Sequence, residues 1–340
     1  MKRRLIHYIF FTLLLSAVAT ASSAAQVAYQ ATVLRDLSGN PASRAYCINN
    51  SGVVIGSGYN GTFIWDPSNG MRDVGMGVSR INNSNQMLGN TSAHYPNLSD
   101  FARPYILKNG TVTTISISAG CTWGYDINDY GYIVGRSLDG EVDMLQSPFI
   151  YDNNGYRTLP TPYNGLGEAS VINNNSRVGG VVNDHAYLWL ENGSHGYLTL
   201  PGEVTSEITG INNLGRVVGT CRGNGWSYAF YANGIGTMHT ITSMYSASDI
   251  NNKGQVIGRS ISDKACLWDP NNGLFELPLP VGYTRGYAYS INESGWIAGY
   301  CYDAQYRSAA VLWAPVPEPS CILALLSGCA ALAGFARRRK

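Results

Sequence analysis

A recurring pattern of apolar and polar positions, Ile-Asn-x-x-Gly-x-Val-x-Gly or a near variant, occurs seven times along the chain. β-Branched and small residues alternate on either side of a polar turn, which is the pattern of two short strands that are joined tightly. Successive copies lie 33 to 46 residues apart, a period that is typical of stacked units sharing one core. The copies begin at Ile48, Ile81, Ile127, Ile172, Ile211, Ile250 and Ile291.

The Asn and the Gly of each copy have separate roles in this predicted turn. An Asn side chain can accept a hydrogen bond from the backbone two residues on, and Gly adopts the positive φ that a bulged turn needs. Asn85 and Ser176 replace the Gly in the second and fourth copies. Asn tolerates the left-handed region better than Ser does, so we expect the fourth turn to differ from the others.

Each unit continues with an aromatic and apolar segment, a second turn and a fourth short strand. Segments such as Thr62 to Trp65 and Ala310 to Trp313 are apolar on both faces, as in strands that are buried between stacked sheets. Turns such as Lys108-Asn109-Gly110 carry the strongest short hairpin signal. Four strands in about 40 residues form the blade of a β-propeller.

The number of strands predicts how the ring is closed. Seven aromatic third strands occur, but only six fourth strands follow them. Thr32 to Leu37 has the fourth-strand pattern and precedes the first copy, so we predict that it completes the seventh blade, because an open array would leave unpaired edges. The expected fold is all-β: a seven-bladed β-propeller of four-stranded blades over residues 26–315. An open β-solenoid is the alternative.

Both ends of the chain have the pattern of targeting segments. Lys2, Arg3 and Arg4 precede an apolar stretch and then small residues, which predicts a signal peptide over residues 1–25. Residues 316–340 contain a mostly apolar segment, Cys321 to Ala336, followed by four basic residues. We interpret this segment as a short transmembrane helix whose basic end lies in the cytoplasm. A buried core helix is the alternative.

The C-terminal pattern also resembles a known sorting signal. Pro317, Glu318 and Pro319, the short apolar segment and the basic tail together resemble the PEP-CTERM signal of exported bacterial surface proteins. The resemblance covers residues 316–340. It implies processing by an exosortase, a membrane-embedded cysteine protease, and an association with extracellular polysaccharide. The protein is then expected to be exported to the cell envelope or beyond and to be anchored first by its C-terminal segment.

The third-strand motif and the Ile-Asn turn resemble the HAF family of extracellular repeats, over residues 45–313. Only the fourth unit, with His185-Ala186-Tyr187-Leu188-Trp189, keeps the His of the family's name. A position that varies so much among the units is hard to interpret as catalytic. The resemblance implies a repeat architecture and a location at the cell surface, and it implies no particular activity.

Charge and residue content exclude several other functions. Seven of the 23 basic residues lie in the two predicted targeting segments, so the ring is acidic and nucleic-acid binding is not expected. Five cysteines remain in the ring at unrelated repeat positions, which is not the pattern of a disulfide framework. The histidines have no metal-ligand spacing, and no phosphate loop or His-Glu-x-x-His motif occurs. We therefore expect no metal and no cofactor.

The long connections between the second and third strands of blades two and three are the candidate ligand-binding face. They run from Asn90 to Ala102 and from Arg136 to Gln146. Tyr and Trp side chains present flat faces that suit sugar rings as well as protein partners. Interblade packing is the alternative for the aromatic residues and solvated charge is the alternative for the acidic ones. The candidates in these two connections are His94, Tyr95, Asp139, Glu141 and Asp143, and the connections between blades add Trp123, Tyr163 and Tyr283.

Three classes of function follow from these observations. The expected one is a non-catalytic exported surface or matrix protein whose propeller binds extracellular polysaccharide or another surface component. A polysaccharide lyase or glycoside hydrolase is the first alternative, and it would need convergent carboxylates at the mouth of the ring. A structural scaffold for protein partners is the second, and it would need a large exposed apolar patch.

Overall fold

Antiparallel β-strands make up the regular structure of this chain. A computed structural model describes residues 28–34, 43–58, 61–91, 102–115, 117, 120–139, 145–162 and 165–316. Within these ranges, no helix is long and apolar enough to cross a bilayer. The predicted signal peptide and the predicted C-terminal transmembrane helix, with Pro317, Glu318 and Pro319, lie outside the described residues.

The strands of the first half of the ring follow the repeat period. In chain order they are β1 (Tyr29–Leu34), β2 (Arg44–Ile48), β3 (Val54–Gly58), β4 (Gly61–Asp66), β5 (Gly70–Asp73), β6 (Val78–Ile81), β7 (Met87–Asn90), β8 (Pro104–Lys108), β9 (Thr111–Thr114), β10 (Thr122–Ile127), β11 (Ile133–Asp139), β12 (Leu145–Asp152) and β13 (Gly155–Thr158).

The strands of the second half are β14 (Gly167–Ile172), β15 (Val178–Val182), β16 (His185–Trp189), β17 (His195–Thr199), β18 (Glu203–Ile211), β19 (Val217–Gly223), β20 (Trp226–Ala232), β21 (Gly236–Thr237), β22 (His239–Ile241), β23 (Met244–Ile250), β24 (Val256–Ser260), β25 (Ala265–Asp269), β26 (Gly273–Glu276), β27 (Tyr283–Ile291), β28 (Ile297–Asp303) and β29 (Ser308–Pro315).

These strands form seven sheets, which are the blades of a β-propeller. Blades 1 to 4 are β2–β5, β6–β9, β10–β13 and β14–β17, and blade 6 is β23–β26. Blade 5 consists of β18, β19, β20 and β22, while the short β21 pairs in parallel with β17 of blade 4. Blade 7 consists of β27, β28 and β29 with β1 as its fourth strand. The predicted seven-bladed fold with four-stranded blades is confirmed.

The N-terminal strand closes the ring as predicted, although its bounds differ. It runs from Tyr29 to Leu34 rather than from Thr32 to Leu37, and residues 35–40 lie outside the described ranges. Gln30 and Ala31 have little strand propensity, so the earlier start could not be predicted from these residues. Leu34 is only 2% exposed and packs with Ala310 and Leu312 of blade 7 and with residues of blade 1.

The hydrophobic core lies between neighbouring blades rather than at one centre. The contact between blades 7 and 1 buries Ala45, Ile48 and Phe63 against Ala298 and Leu312, in the same way as the other blade contacts. The five cysteines of the ring are free. Burial raises the pKa of the Cys266 thiol to about 12, and a thiol in such surroundings is chemically inert.

Every first strand contains a β-bulge at the same position. The pairing register shifts two residues before the Ile of each Ile-Asn turn, for example between Ala45 and Cys47 and between Ala288 and Ser290. The bulge brings the backbone carbonyl of the residue four positions before that Ile against the second strand. A Cβ on the facing Gly of that strand, such as Gly135 or Gly299, would overlap this carbonyl oxygen. This contact explains the last Gly of the repeated phrase, because only Gly leaves the space.

The Asn of each Ile-Asn turn has two structural roles. The Oδ1 atom of Asn49 accepts hydrogen bonds from the backbone N–H groups of Ser51 and Val53, at 3.1 and 3.0 Å. Its Nδ2 atom donates to the backbone carbonyl of Asn82 in the next blade, at 3.2 Å. One side chain thus fixes its own turn and joins two blades.

The interblade bond recurs at all seven blade contacts and returns to its starting point. The last member, Asn292, donates from Nδ2 to the carbonyl of Asn49 at 3.1 Å. The seven side chains, which we call the asparagine ring, are 2–5% exposed. Their successive Nδ2 to O distances, from Asn49, Asn82, Asn128, Asn173, Asn212 and Asn251, are 3.2, 2.7, 3.1, 3.0, 3.1 and 3.2 Å.

A second circle of hydrogen bonds surrounds the first. The backbone N–H of the residue after each Asn donates to the side chain of its counterpart in the next blade, as Asn50 does to Asn83 at 2.8 Å. This circle also closes, because Glu293 donates to Oδ1 of Asn50 at 3.0 Å. The first blade and the last are therefore joined at the centre of the ring as well as at its rim.

The fourth turn does not differ from the others, contrary to expectation. Ser176 adopts a φ of 62°, close to the φ of 57° of Asn85, and its N–H donates to the carbonyl of Asn173 at 3.1 Å. Oδ1 of Asn173 accepts from Asn175 and Arg177 as in the other turns. These bonds hold a conformation that Ser alone would disfavour.

We predict that removing strand β1 abolishes cooperative unfolding, because the outer edge of blade 7 and the site of Leu34 would then be open. As a point variant, Leu34→Ala is expected to cost about 2–5 kcal/mol of unfolding free energy. The exposed Thr32→Ala on the same strand is the control and should stay within about 0.5 kcal/mol. Urea denaturation measures the unfolding free energies of the two point variants. A deletion variant that melts like the parent would exclude closure by this strand.

We also predict that Asn292→Ala destabilises the ring at its closing contact. The change removes the bonds to Ser294 and Trp296 and the bond to Asn49, so we expect a loss of about 2–4 kcal/mol, as for buried hydrogen-bond partners left unpaired. Asn154→Ala, at an exposed turn of blade 3, is the control and should change little. Equal melting of the two variants would mean that the asparagine ring does not stabilise the fold.

Candidate functional site

The first strands of all seven blades line a central channel. The cavity along its wall has a volume of about 380 Å³ and is bordered by residues of every blade's first strand, among them Tyr46, Arg80, Asp126, Asp249 and Tyr289. The asparagine ring forms one end of the channel. The first strands run toward that ring, so the residues that precede each bulge lie at the opposite end.

That opposite end, which we call the variable mouth, differs from blade to blade. It consists of the residues two and four positions before each Ile of the Ile-Asn turns, with their neighbours on the second strands. A constant end and a variable end indicate separate roles, since structure constrains the first and recognition can use the second. The residues two before are Tyr46, Ser79, Tyr125, Ser170, Thr209, Ser248 and Tyr289, and those four before are Arg44, Gly77, Trp123, Glu168, Glu207, Ser246 and Tyr287.

Tyrosines cluster on the part of the mouth that blades 7 and 1 form. The rings of Tyr287 and Tyr289 stack on Tyr300 with centroids 5.1 and 5.5 Å apart. Tyr46 of blade 1 meets Tyr289 edge-on at 6.3 Å. Tyr289 is 42% exposed whereas Tyr300 beneath it is 6% exposed, and burial raises the pKa of Tyr300 far above its ordinary value. The cluster thus has a buried base and an accessible face.

Arginines lie over the rings of this cluster. The guanidinium of Arg44 is 4.9 Å from the ring centroid of Tyr300, and its Nη2 donates to the hydroxyl of Tyr302 at 2.7 Å. Arg285 lies 6.0 Å from the ring centroid of Tyr306. These are cation–π geometries, which hold the cations in place over the rings. We call the set the tyrosine–arginine surface: Arg44, Tyr46, Arg285, Tyr287, Tyr289, Tyr300, Tyr302 and Tyr306.

The part of the mouth on blades 3 to 5 carries ion pairs. Arg136 lies 5.1 Å from the ring centroid of Trp123 and 3.9 Å from Glu168. Arg222 contacts Glu207 at 2.8 Å. A second cavity of about 700 Å³ lies between blades 4 and 5, and both glutamates border it. Each of these mouth carboxylates therefore has an arginine partner.

Two carboxylates face the channel itself and join blades. Asp126 accepts a hydrogen bond from the N–H of Ile172 in the next blade at 2.9 Å, and Asp249 accepts from Ile291 at 3.0 Å. Burial raises the pKa of Asp249 to about 6, against the hydrogen bonds from Ile291 and Ile250, and the charge of Asp126 adds to the rise. Burial also raises the pKa of Asp126, which the charge of Arg80 opposes.

Among the described residues, no group of three or more His, Cys, Asp or Glu side chains is placed to hold a metal ion. Within the described residues, one histidine contacts a carboxylate. Nδ1 of His185 in blade 4 lies 3.2 Å from Glu203 in blade 5. Burial raises the pKa of Glu203, and the contact with His185 opposes that rise. His185, the residue that resembles the HAF motif, thus takes part in an interblade contact.

Only part of the candidate set lies within the described residues. Trp123 lies at the variable mouth and Tyr283 begins β27 at the same end. Asp139 ends β11, which runs away from the asparagine ring. The structure therefore places the ends of the long connections at the variable mouth. His94, Tyr95, Glu141, Asp143 and Tyr163 lie outside the described residues.

Sequence reasoning missed the whole tyrosine–arginine surface, because none of its eight residues was among the candidates. Tyr287, Tyr289 and Tyr300 looked like ordinary strand residues, and Arg44 is far from them in sequence. An available signal was the alignment of the seven copies on Ile-Asn. The column four positions before the Ile varies in chemistry, the column two positions before it holds only Tyr, Ser or Thr, and the column between them stays small or apolar. The bulge that makes these columns face the mouth cannot be seen in the sequence.

We predict that the stability of the ring depends on pH through Asp249. Its pKa is about 6 in the folded chain against an ordinary 3.8, so between about pH 4 and 6 the folded chain binds the extra proton and stability falls as the pH rises. Asp249→Asn removes this dependence. The unfolding free energy of the variant minus that of the parent should therefore increase as the pH rises from about 4 to about 6. Urea denaturation at several pH values measures the difference, and a constant difference would contradict the role assigned to Asp249.

Comparisons with known proteins support the fold. No protein-family model and no curated protein matches the chain. Among solved structures, the chain is similar to streptogramin B lyase at a TM-score of 0.51 and 11% identity, over 85% of this chain and 98% of that one. It is also similar to the β-propeller domain of the Trilobed protease from Pyrococcus furiosus, at a TM-score of 0.53 and 10% identity, over 80% and 95%.

A third similar structure is YCF48 from Cyanidioschyzon merolae, with a TM-score of 0.51 and 11% identity over 86% of this chain and 99% of that one. These neighbours differ in what their names describe, and at such low identities they share a fold rather than a function. The comparisons thus show that the chain is a β-propeller.

Proposed function

We propose that this protein is an exported, non-catalytic binding module that takes extracellular polysaccharide at its variable mouth. The tyrosine–arginine surface is the observation that carries the proposal. It presents half-exposed aromatic rings at the end of the propeller where the repeats differ. Sugar rings stack on flat aromatic faces, while tyrosine hydroxyls and arginine N–H groups bond sugar hydroxyls.

The surroundings of the carboxylates favour binding over bond cleavage. Glycoside hydrolysis needs one carboxyl group that gives a proton and a second that attacks or activates water. Glu168 and Glu207 at the mouth are each in contact with an arginine, Arg136 and Arg222. The pKa of Asp249 is raised to about 6 by burial, but each of its two oxygens already accepts a hydrogen bond from a backbone N–H group. A polysaccharide lyase or glycoside hydrolase is therefore the second candidate.

The proposal for export and anchoring rests on the sequence. Residues 1–25 would direct export, and Pro317, Glu318 and Pro319 with the apolar segment would present the tail to an exosortase-type enzyme in the membrane. A binding module anchored in this way would hold polysaccharide close to the cell envelope. Cleavage of the tail would release the module into the extracellular matrix.

We predict that the full chain binds the host's extracellular polysaccharide and that Tyr289→Ala weakens this binding. Loss of one aromatic contact is worth about 0.5–1.5 kcal/mol, hence roughly a twofold to tenfold weaker affinity. Tyr130→Ala is the matched control, because Tyr130 is 68% exposed but belongs to the turn beside Asn128 at the asparagine ring. Size-exclusion chromatography with light scattering follows the protein and the polymer together.

The outcomes of this experiment separate the candidate functions. Co-elution at unchanged polymer mass, weakened by Tyr289→Ala alone, supports a binding module. A fall in polymer mass would mean that the protein is an enzyme. Separate elution of protein and polymer would contradict both, and would favour a scaffold for protein partners.

A further inference from the structure

Five arginines of the variable mouth fall into two groups. Arg136, Arg222 and Arg259 each contact a carboxylate, namely Glu168, Glu207 and Asp263. Arg44 and Arg285 form no such ion pair: within the described part of the chain, no carboxylate oxygen lies within 4.0 Å of either guanidinium. Both belong to the tyrosine–arginine surface.

These two arginines are held in place without being neutralised. Arg44 lies over the rings of Tyr300 and Tyr302 and donates to the Tyr302 hydroxyl. Arg285 lies beside Tyr302 in the pairing of β27 with β28, and its guanidinium lies over Tyr306. Rings position a guanidinium but leave its charge and most of its N–H groups free. A planar guanidinium fork binds carboxylate and sulfate oxygens well.

The charge of the mouth is unevenly distributed around the ring. Blades 7 and 1 carry the two unpaired arginines, beside the ion pair of Arg307 with Asp303. At the cavity between blades 4 and 5, Glu168 and Glu207 are already paired with Arg136 and Arg222. A polyanion would be attracted to the first region, whose cations are unpaired, rather than to the second, whose cations already have carboxylate partners. The ring as a whole has an excess of acidic residues, so general attraction would not hold a polyanion elsewhere on it.

We infer that the polysaccharide bound at the variable mouth is anionic and that its carboxylate or sulfate groups dock on Arg44 and Arg285. The sugar rings then stack on Tyr289, whose side chain is 42% exposed, whereas Tyr287 is already covered by Tyr300 and Arg259. This inference rests on the proposed function, since it names the chemical class of the ligand at the same site. It also gives the ligand a location, over blades 7 and 1.

The first test compares three polymers of matched length with the full chain by isothermal titration calorimetry: polygalacturonate, dextran sulfate and neutral dextran. Polygalacturonate or dextran sulfate should bind about tenfold or more tightly than dextran, as hydrogen bonds to charged groups require. Higher salt should weaken binding of the charged polymer, because exposed charges are screened. The ratio of the two anionic affinities distinguishes carboxylate from sulfate as the docking group.

The second test locates the site with variants. Arg44→Gln combined with Arg285→Gln should lose about tenfold or more in affinity for the charged polymer and most of its salt dependence. Arg216→Gln is the matched control, because Arg216 also lies over a tyrosine ring, that of Tyr231 at 5.2 Å, but follows the turn of Asn212 at the asparagine ring. The control should bind like the parent.

Folding and binding are separated by two further measurements. Melting curves of each variant show whether the ring remains intact, and Arg285→Gln alone provides a variant at an exposed position should Arg44→Gln fail to fold. Lysine at both positions keeps the charge but not the planar fork, so it should restore salt-dependent binding in part.

Each outcome has one meaning. Equal, salt-independent binding of dextran and the charged polymers, still weakened by Tyr289→Ala, would overturn the inference and leave the proposed function standing. Failure of all polymers, the host's polysaccharide included, would overturn both. An equal loss in the Arg216→Gln control would place any anionic site away from blades 7 and 1.

Discussion

The hydrogen bonds of seven buried asparagines are the interaction on which the rest of this structure depends. Each side chain accepts from its own turn and donates to the next blade, so it satisfies buried backbone groups on both sides. Aspartate would lack the donor, alanine would lack both groups, and glutamine would extend too far. Because the bonds return from Asn292 to Asn49, every blade is fixed relative to its two neighbours at the centre of the ring.

The constancy of this end allows the other end to vary. The asparagine turn sets the register of the first hairpin, and the bulge and the facing glycine follow in every blade, as at Gly135 and Gly299. The bulge turns the preceding side chains toward the mouth of the channel. Those positions make no interblade bond that recurs in every blade, although Thr209 donates to the carbonyl of Ala247 at 3.0 Å. They hold arginine, glycine, tryptophan, glutamate, serine, threonine or tyrosine in different blades. A fixed scaffold with a variable surface is the usual arrangement of a recognition module.

The sequence was sufficient for the architecture because the architecture repeats. Seven turns, seven aromatic strands and one displaced fourth strand predicted the blades and their closure. The sequence was insufficient where a feature depends on contacts that form only in the folded structure. The fourth turn keeps the common geometry because Asn173 holds Ser176, and the strand β1 starts before its pattern becomes apolar. The mouth residues depend on a bulge, and Tyr46 meets Tyr289 only when the last blade lies beside the first. Of the eight candidate residues, only Trp123 and Tyr283 have their side chains in the described part of the chain.

Ring closure and the proposed binding surface have the same physical origin. Arg44 belongs to the first blade, whereas Tyr300 and Tyr302 beneath it belong to the last. The surface therefore spans the contact between the last blade and the first. Strand β1, the Asn292 to Asn49 bond and the shared apolar core all contribute to this contact. An incompletely closed ring could contain every tyrosine and still lack half of the site's positive charge, because Arg44 would not lie over Tyr300 and Tyr302. In this propeller, the contact that completes the fold also assembles the surface to which we assign binding.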